Sequence, residues 1–183
     1  DDDMFDFATL AYDREEWTLA SQGYAKYLQK YPAGRQVPDA LYRIGECYMK
    51  QNQLKQAASY YTEVVNRYPD SEGAPSSAYR LGAMTFNESK FLESARHFAF
   101  CEAKHKSAQV KLAAAYNKSR AYEMAGDKDK QAAALKTVVA VKTENPYRET
   151  ALLTLGSMFL AQDKKAEALP IFEDLVKVSA DRA

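Results

Sequence analysis

A period of 37 residues constrains this chain more than any other property. Small residues stand at Ala8, Gly45, Gly82, Ser119 and Gly156, and large apolar ones at Tyr24, Tyr61, Phe98, Leu135 and Phe172. Each series steps by 37 without drift, and five such periods nearly exhaust the 183 residues. Self-similarity at a spacing of this size marks a chain built from stacked copies of one supersecondary unit. In the copy from Asp39 to Pro69, Leu41, Ile44, Cys47 and Tyr48 recur at three- and four-residue steps. After a break at Gln51-Asn52-Gln53, Leu54, Ala57, Tyr61, Val64 and Val65 do the same. Each run is an apolar stripe of helical period, so the unit is a pair of helices. Gly45 and Ala57 are the small residues expected where the two helices cross. Glycine inside a helix costs ~0.5–1 kcal/mol relative to alanine, which close packing offsets.

The pattern therefore predicts an all-α chain of ten antiparallel helices in five hairpins, without sheet. It predicts a single repeat domain, with copies at about 1–37, 38–74, 75–111, 112–148 and 149–183. Pro38 and Pro75, one period apart, fall near helix starts, where a missing N–H does no harm. Copy four is the least regular: Lys118, Lys128 and Gln131 replace the Ile44, Leu54 and Ala57 types. The polar link Lys104-His105-Lys106-Ser107 before it reads as the softest joint of the array. In copy five, Pro170 is expected to bend its helix or delay its start.

The order small residue, aromatic, Ala, aromatic, Pro at Gly45, Tyr48, Ala57, Tyr61 and Pro69 resembles the tetratricopeptide repeat, whose usual period is about 34 residues. Gly82 and Phe98, then Gly156, Phe159, Ala168 and Phe172, match it in later copies. The resemblance implies a right-handed α-solenoid and a protein–protein interaction role. The endings Tyr31-Pro32-Ala33-Gly34 and Tyr68-Pro69-Asp70-Ser71 are similar to repeats of bacterial envelope proteins, such as the Tol-Pal accessory protein and the barrel-assembly-machine lipoprotein. They imply a periplasmic or outer-membrane location, with the cytoplasm as the alternative.

Charge and motifs exclude several classes. The chain has 25 basic and 25 acidic residues, so no net field draws it to nucleic acid or to an anionic membrane. No apolar run has the length of a membrane helix, so direct insertion is not expected. No Ser/His/Asp constellation, phosphate loop or zinc-protease pattern occurs, and no cofactor is implied. Glu15-Glu16 and Glu173-Asp174 are adjacent on helices, point apart, and read as solvated faces. His97, Cys101 and His105 follow at four-residue steps and could offer three zinc ligands. Cys101 is a core position by the repeat, however, so no metal is expected. Cys47 and Cys101 lie in non-facing helices and read as buried thiols rather than a disulfide. The chain opens Asp1-Asp2-Asp3 without Met, which reads as a mature or excised fragment.

The candidate site is a groove. In stacks of this class the first helices line the concave side, and one register repeats along it. The Tyr42 register gives Phe5, Tyr42, Tyr79 and Tyr116; the next residue along gives Arg43, Arg80 and Asn117; Arg120 stands three residues beyond that. Tyr and Arg are favoured at binding hot spots. The expected function is a non-enzymatic scaffold holding a peptide or a segment of another protein in this groove. The alternatives are a structural subunit of an envelope assembly using its ends and convex face, or the non-catalytic part of a larger protein. The family's carboxylate-gripping version uses Lys and Asn where this chain has Phe5, Tyr42 and Glu46, which argues against a chaperone tail as ligand. The last helix carries Ile171, Val176 and Val178, whereas earlier copies place Lys30, Arg67 and Lys104 in the Val178 register. Either a further helix follows or this end self-associates through the C-terminal helix.

Overall fold

A computed structural model describes residues 2–143 and 145–180. The described residues form ten helices and no strand: α1 Asp2–Asp13, α2 Trp17–Lys30, α3 Val37–Lys50, α4 Leu54–Arg67, α5 Ala74–Asn87, α6 Phe91–Lys104, α7 Ala108–Met124, α8 Lys128–Ala140, α9 Arg148–Ala161 and α10 Lys165–Ala180. Their contacts gather into two compact units, 1–84 and 85–183, which divide within α5. In the first unit α1 packs on α2, α2 on α3 and α3 on α4. In the second, α6 packs on α7, α7 on α8, α8 on α9 and α9 on α10.

The two markers of the period turn out to pack on each other. A Cβ placed on Gly45 would lie 2.6 Å from Cε1 of Tyr61, and one on Gly156 would lie 2.7 Å from Cζ of Phe172. The glycine is thus the seat of the aromatic ring of the partner helix. Ala57, fully buried, joins Tyr61 and Leu81 in the core. In the first copy the polarity is reversed, and Gly23 of α2 admits Ala8 of α1. Tyr24, Tyr27 and Tyr61 are wholly buried, each contributing about 1.5–3 kcal/mol of apolar burial.

A second 37-residue series lies in the backbone. Glu15, Asn52, Ser89, Gly126 and Asp163 all have φ between 57° and 74°. Each ends the first helix of its hairpin in the left-handed conformation. The next N–H reaches back five residues to a carbonyl, as in Gln53 to Tyr48 and Lys164 to Phe159. This double closure satisfies the last helical carbonyls, and the turn direction is the same in every copy.

Three expectations are revised. The link before α7 is well secured: Ser107 Oγ accepts the N–H of Val110, and Lys118 of α7 pairs with Glu102 of α6. Pro170 does not delay α10, which begins at Lys165 and runs through it. Asp174 is more than a solvated carboxylate, because it pairs with Arg148, whose side chain is 8% exposed at the start of α9. Arg148 Nε also donates to the Val139 carbonyl. Nearby, buried Asn145 donates to the carbonyls of Val138 and Val141 and accepts from the Tyr147 N–H, tying the end of α8 to the start of α9.

Candidate functional site: the first-helix face

In the first unit, an arginine on each new hairpin reaches back to the one before. Arg80 of α5 donates Nε and Nη2 to the two oxygens of Glu46 on α3, each at 2.9 Å. The same carboxylate accepts from the hydroxyl of Tyr61 on α4. One period earlier, Arg43 donates to the Tyr24 hydroxyl at 3.4 Å, and Tyr24 shares a hydrogen bond with Thr9. Glu46 is 6% exposed; its charge is tolerated there because a planar guanidinium fork meets both oxygens. The hydrogen bond to Glu46 holds the Arg80 guanidinium well above its usual range. Burial pushes the Tyr61 hydroxyl up, and its hydrogen bond to Glu46 adds to this.

This arrangement distributes the predicted residues. Phe5 is sunk in the core against Tyr24 and Tyr27, at ring distances of 5.2 and 5.5 Å. Arg43 covers it at 5.8 Å, stacks on Tyr12 at 5.3 Å, and pairs with Asp39 at 3.0 Å. Arg80 is committed to Glu46. Tyr79 lies half-buried on α5. Tyr42 is half-buried, its ring 6.2 Å from that of Tyr61. Burial raises the Tyr42 hydroxyl pKa, and Glu46 adds to this. In the second unit, Tyr116 stacks on Tyr147 with centroids 4.6 Å apart. Asn117 is half-buried, and exposed Arg120 lies 5.2 Å over the Phe86 ring.

Tyr42 and Arg43 border a pocket of about 590 Å³ together with Arg35, Gln36, Pro38, Asp39, Ser71, Glu72, Gly73 and Ser76. The links before α3 and α5 form its floor. Gly73 shapes it, because a Cβ there would meet Tyr42 Cβ at 3.0 Å. Gln36 Oε1 and Ser71 Oγ are buried in the lining without a hydrogen-bond partner. Arg35 is exposed at the rim. Sequence reasoning missed Arg35, Gln36 and Ser71, because they lie in links that carry no helical register.

The histidines and cysteines serve locally. His105 Nδ1 accepts from the Ser107 N–H, and His97 lies 3.7 Å from Glu93. Cys47 and Cys101 are buried free thiols. Among the described residues no three His, Cys, Asp or Glu gather as metal ligands, and no helix is long and apolar enough to cross a membrane.

Paired helices, with a glycine seating an aromatic ring at two of the crossings and one turn type in every copy, make an all-α fold like that of tetratricopeptide solenoids. Residues 39–71 match the family model described as tetratricopeptide repeat. Solved structures share the fold over nearly the whole chain. One crystal structure of MamA aligns with TM-score 0.68 at 18% identity, covering 96% of this chain and 95% of that one. MamA 41-end from Desulfovibrio magneticus RS-1 gives 0.64 at 16%, covering 97% and 94%. A Podosopora anserina structure with nearly identical TPR-like repeats gives 0.62 at 15%, covering 98% and 95%. No curated protein sequence matches.

Proposed function

We propose that this protein is a non-enzymatic interaction scaffold that holds an extended segment of another protein on its first-helix face. The pocket between α3 and α5 is its anchor point. The observation that carries this reading is the lining: an aromatic ring, two guanidinium groups and two carboxylates around about 590 Å³, with two unsatisfied polar atoms in its wall. That volume suits a few side chains of a bound segment. Arg35, exposed at the rim, is placed to meet an acidic side chain. A location in the bacterial envelope rests on the Tyr-Pro endings of copies one and two; secretion of the intact gene product is its test.

Capture of partners on immobilised protein, read by mass spectrometry, tests the site. Arg35→Glu should reduce recovery of the specific partner tenfold or more, since it reverses charge at the rim without touching the core. Arg120→Glu, in the other unit, should have a much smaller effect. Equal recovery with wild type and Arg35→Glu would remove the pocket from the account.

A further inference from the structure

The joint between successive hairpins has a repeating chemistry. In the first unit, Ala58 and Val65 of α4 and Met84 of α5 pack against the cluster that contains Leu81 of α5. Two periods later, Ala132 and Val139 of α8 and Met158 of α9 pack against the cluster that contains Leu155 of α9. These are the same four registers. Between them, in the second unit, the Val65 and Leu81 registers are occupied by Glu102 and Lys118, which pair with each other at 19% and 17% side-chain exposure.

Each half of this joint also recurs as an exposed face on another helix. Phe7 and Leu10 of α1 occupy the Leu81 and Met84 registers, yet they are 57% and 49% exposed where Leu81 is 4%. Phe7 lines a cleft of about 480 Å³ with Asp3, Met4, Leu19, Lys26 and Lys30. Leu169 and Val176 of α10 occupy the Ala58 and Val65 registers, at 61% and 69% exposure. α10 also exposes Glu167 and Glu173 beside Lys165 and Lys177, and the cleft carries Lys26 and Lys30 beside Asp3.

From these two open halves we infer head-to-tail self-association, in which α10 of one copy docks into the α1–α2 cleft of a second copy. The occupant is a second copy because α10 presents the registers that the cleft is built to receive. Leu169 and Val176 against Phe7 and Leu10 make the same apolar pairing seen at Ala58, Val65, Leu81 and Met84. Such a contact joins two different surfaces, so it propagates into chains or rings. It uses none of the pocket residues and stands independently of the groove reading.

Sedimentation velocity over a wide range of concentration tests it, with melting curves confirming that each variant is folded. Wild-type mass should rise with concentration. Phe7→Lys spoils the cleft and Val176→Lys spoils the helix, so each variant alone should remain monomeric. An equimolar mixture retains one intact cleft and one intact helix, and should form a dimer that grows no further. A wild type that stays monomeric would overturn the inference, including the case where another segment or protein covers α1. So would a mixture that stays monomeric, or a single variant that still associates.

Discussion

At the scale of single residues, the most regular feature is one that residue types hide. The five left-handed turn positions hold Glu15, Asn52, Ser89, Gly126 and Asp163, and no similarity of side chain marks them as equivalent. Asn, Asp and Gly tolerate this conformation, whereas Glu and Ser are strained by their Cβ. Glu15→Gly and Ser89→Gly should therefore each raise stability by up to about 1 kcal/mol, even allowing for the freedom glycine adds to the unfolded chain. Gly126→Ala should lower it by about 1 kcal/mol although nothing lies within 4 Å of the added carbon. Urea unfolding of the three variants checks the set; a stabilising Gly126→Ala would contradict the assignment. The small and aromatic markers were legible in the sequence because packing fixes their size. The turn was not, because backbone geometry repeats there while chemistry does not.

At the scale of elements, helix order and bounds follow closely from the apolar stripes, but the polar joints do not. Copy four looked defective because Lys118 stands in an apolar register. Its explanation, Glu102, sits sixteen residues upstream on the previous helix, where Val65 stands one period earlier. Reading either position alone gives a fault; reading both gives an exchange of an apolar pair for an ionic one. The same holds for Glu46 and Arg80, which lie on different hairpins and were assigned to a face rather than to each other. Lys118→Leu should cost about 1–3 kcal/mol by leaving the Glu102 carboxylate unpaired in a half-buried joint. Adding Glu102→Val should recover most of that loss. A double variant no more stable than Lys118→Leu would show that the joint is not governed by this pair.

At the scale of the whole molecule, the buried thiols and tyrosines are shifted in one direction. Burial pushes the thiols of Cys47 and Cys101 from 9.0 up to about 12 and about 11, and Tyr12 from 10.0 to about 12. Each is held protonated by the fold, so its contribution is complete below the unfolded pKa and is lost as pH rises toward the folded one. The melting temperature, measured with reductant, should fall steadily between about pH 9 and pH 12. A melting temperature constant to pH 12 would contradict the burial of these groups. The surroundings of the proposed face were legible in part at this scale. Tyr42 and Arg43 do border open space, while Phe5 and Arg80 are drawn into packing and pairing, since registers predict a face and not how its side chains spend their hydrogen bonds. The central claim is that partners bind at the pocket between α3 and α5. Site-specific photo-crosslinking addresses it most directly, with a photoreactive residue at Arg35 compared with one at exposed Lys55 on α4. Partner adducts should form from position 35 and be absent at position 55; adducts from position 55 alone would contradict it.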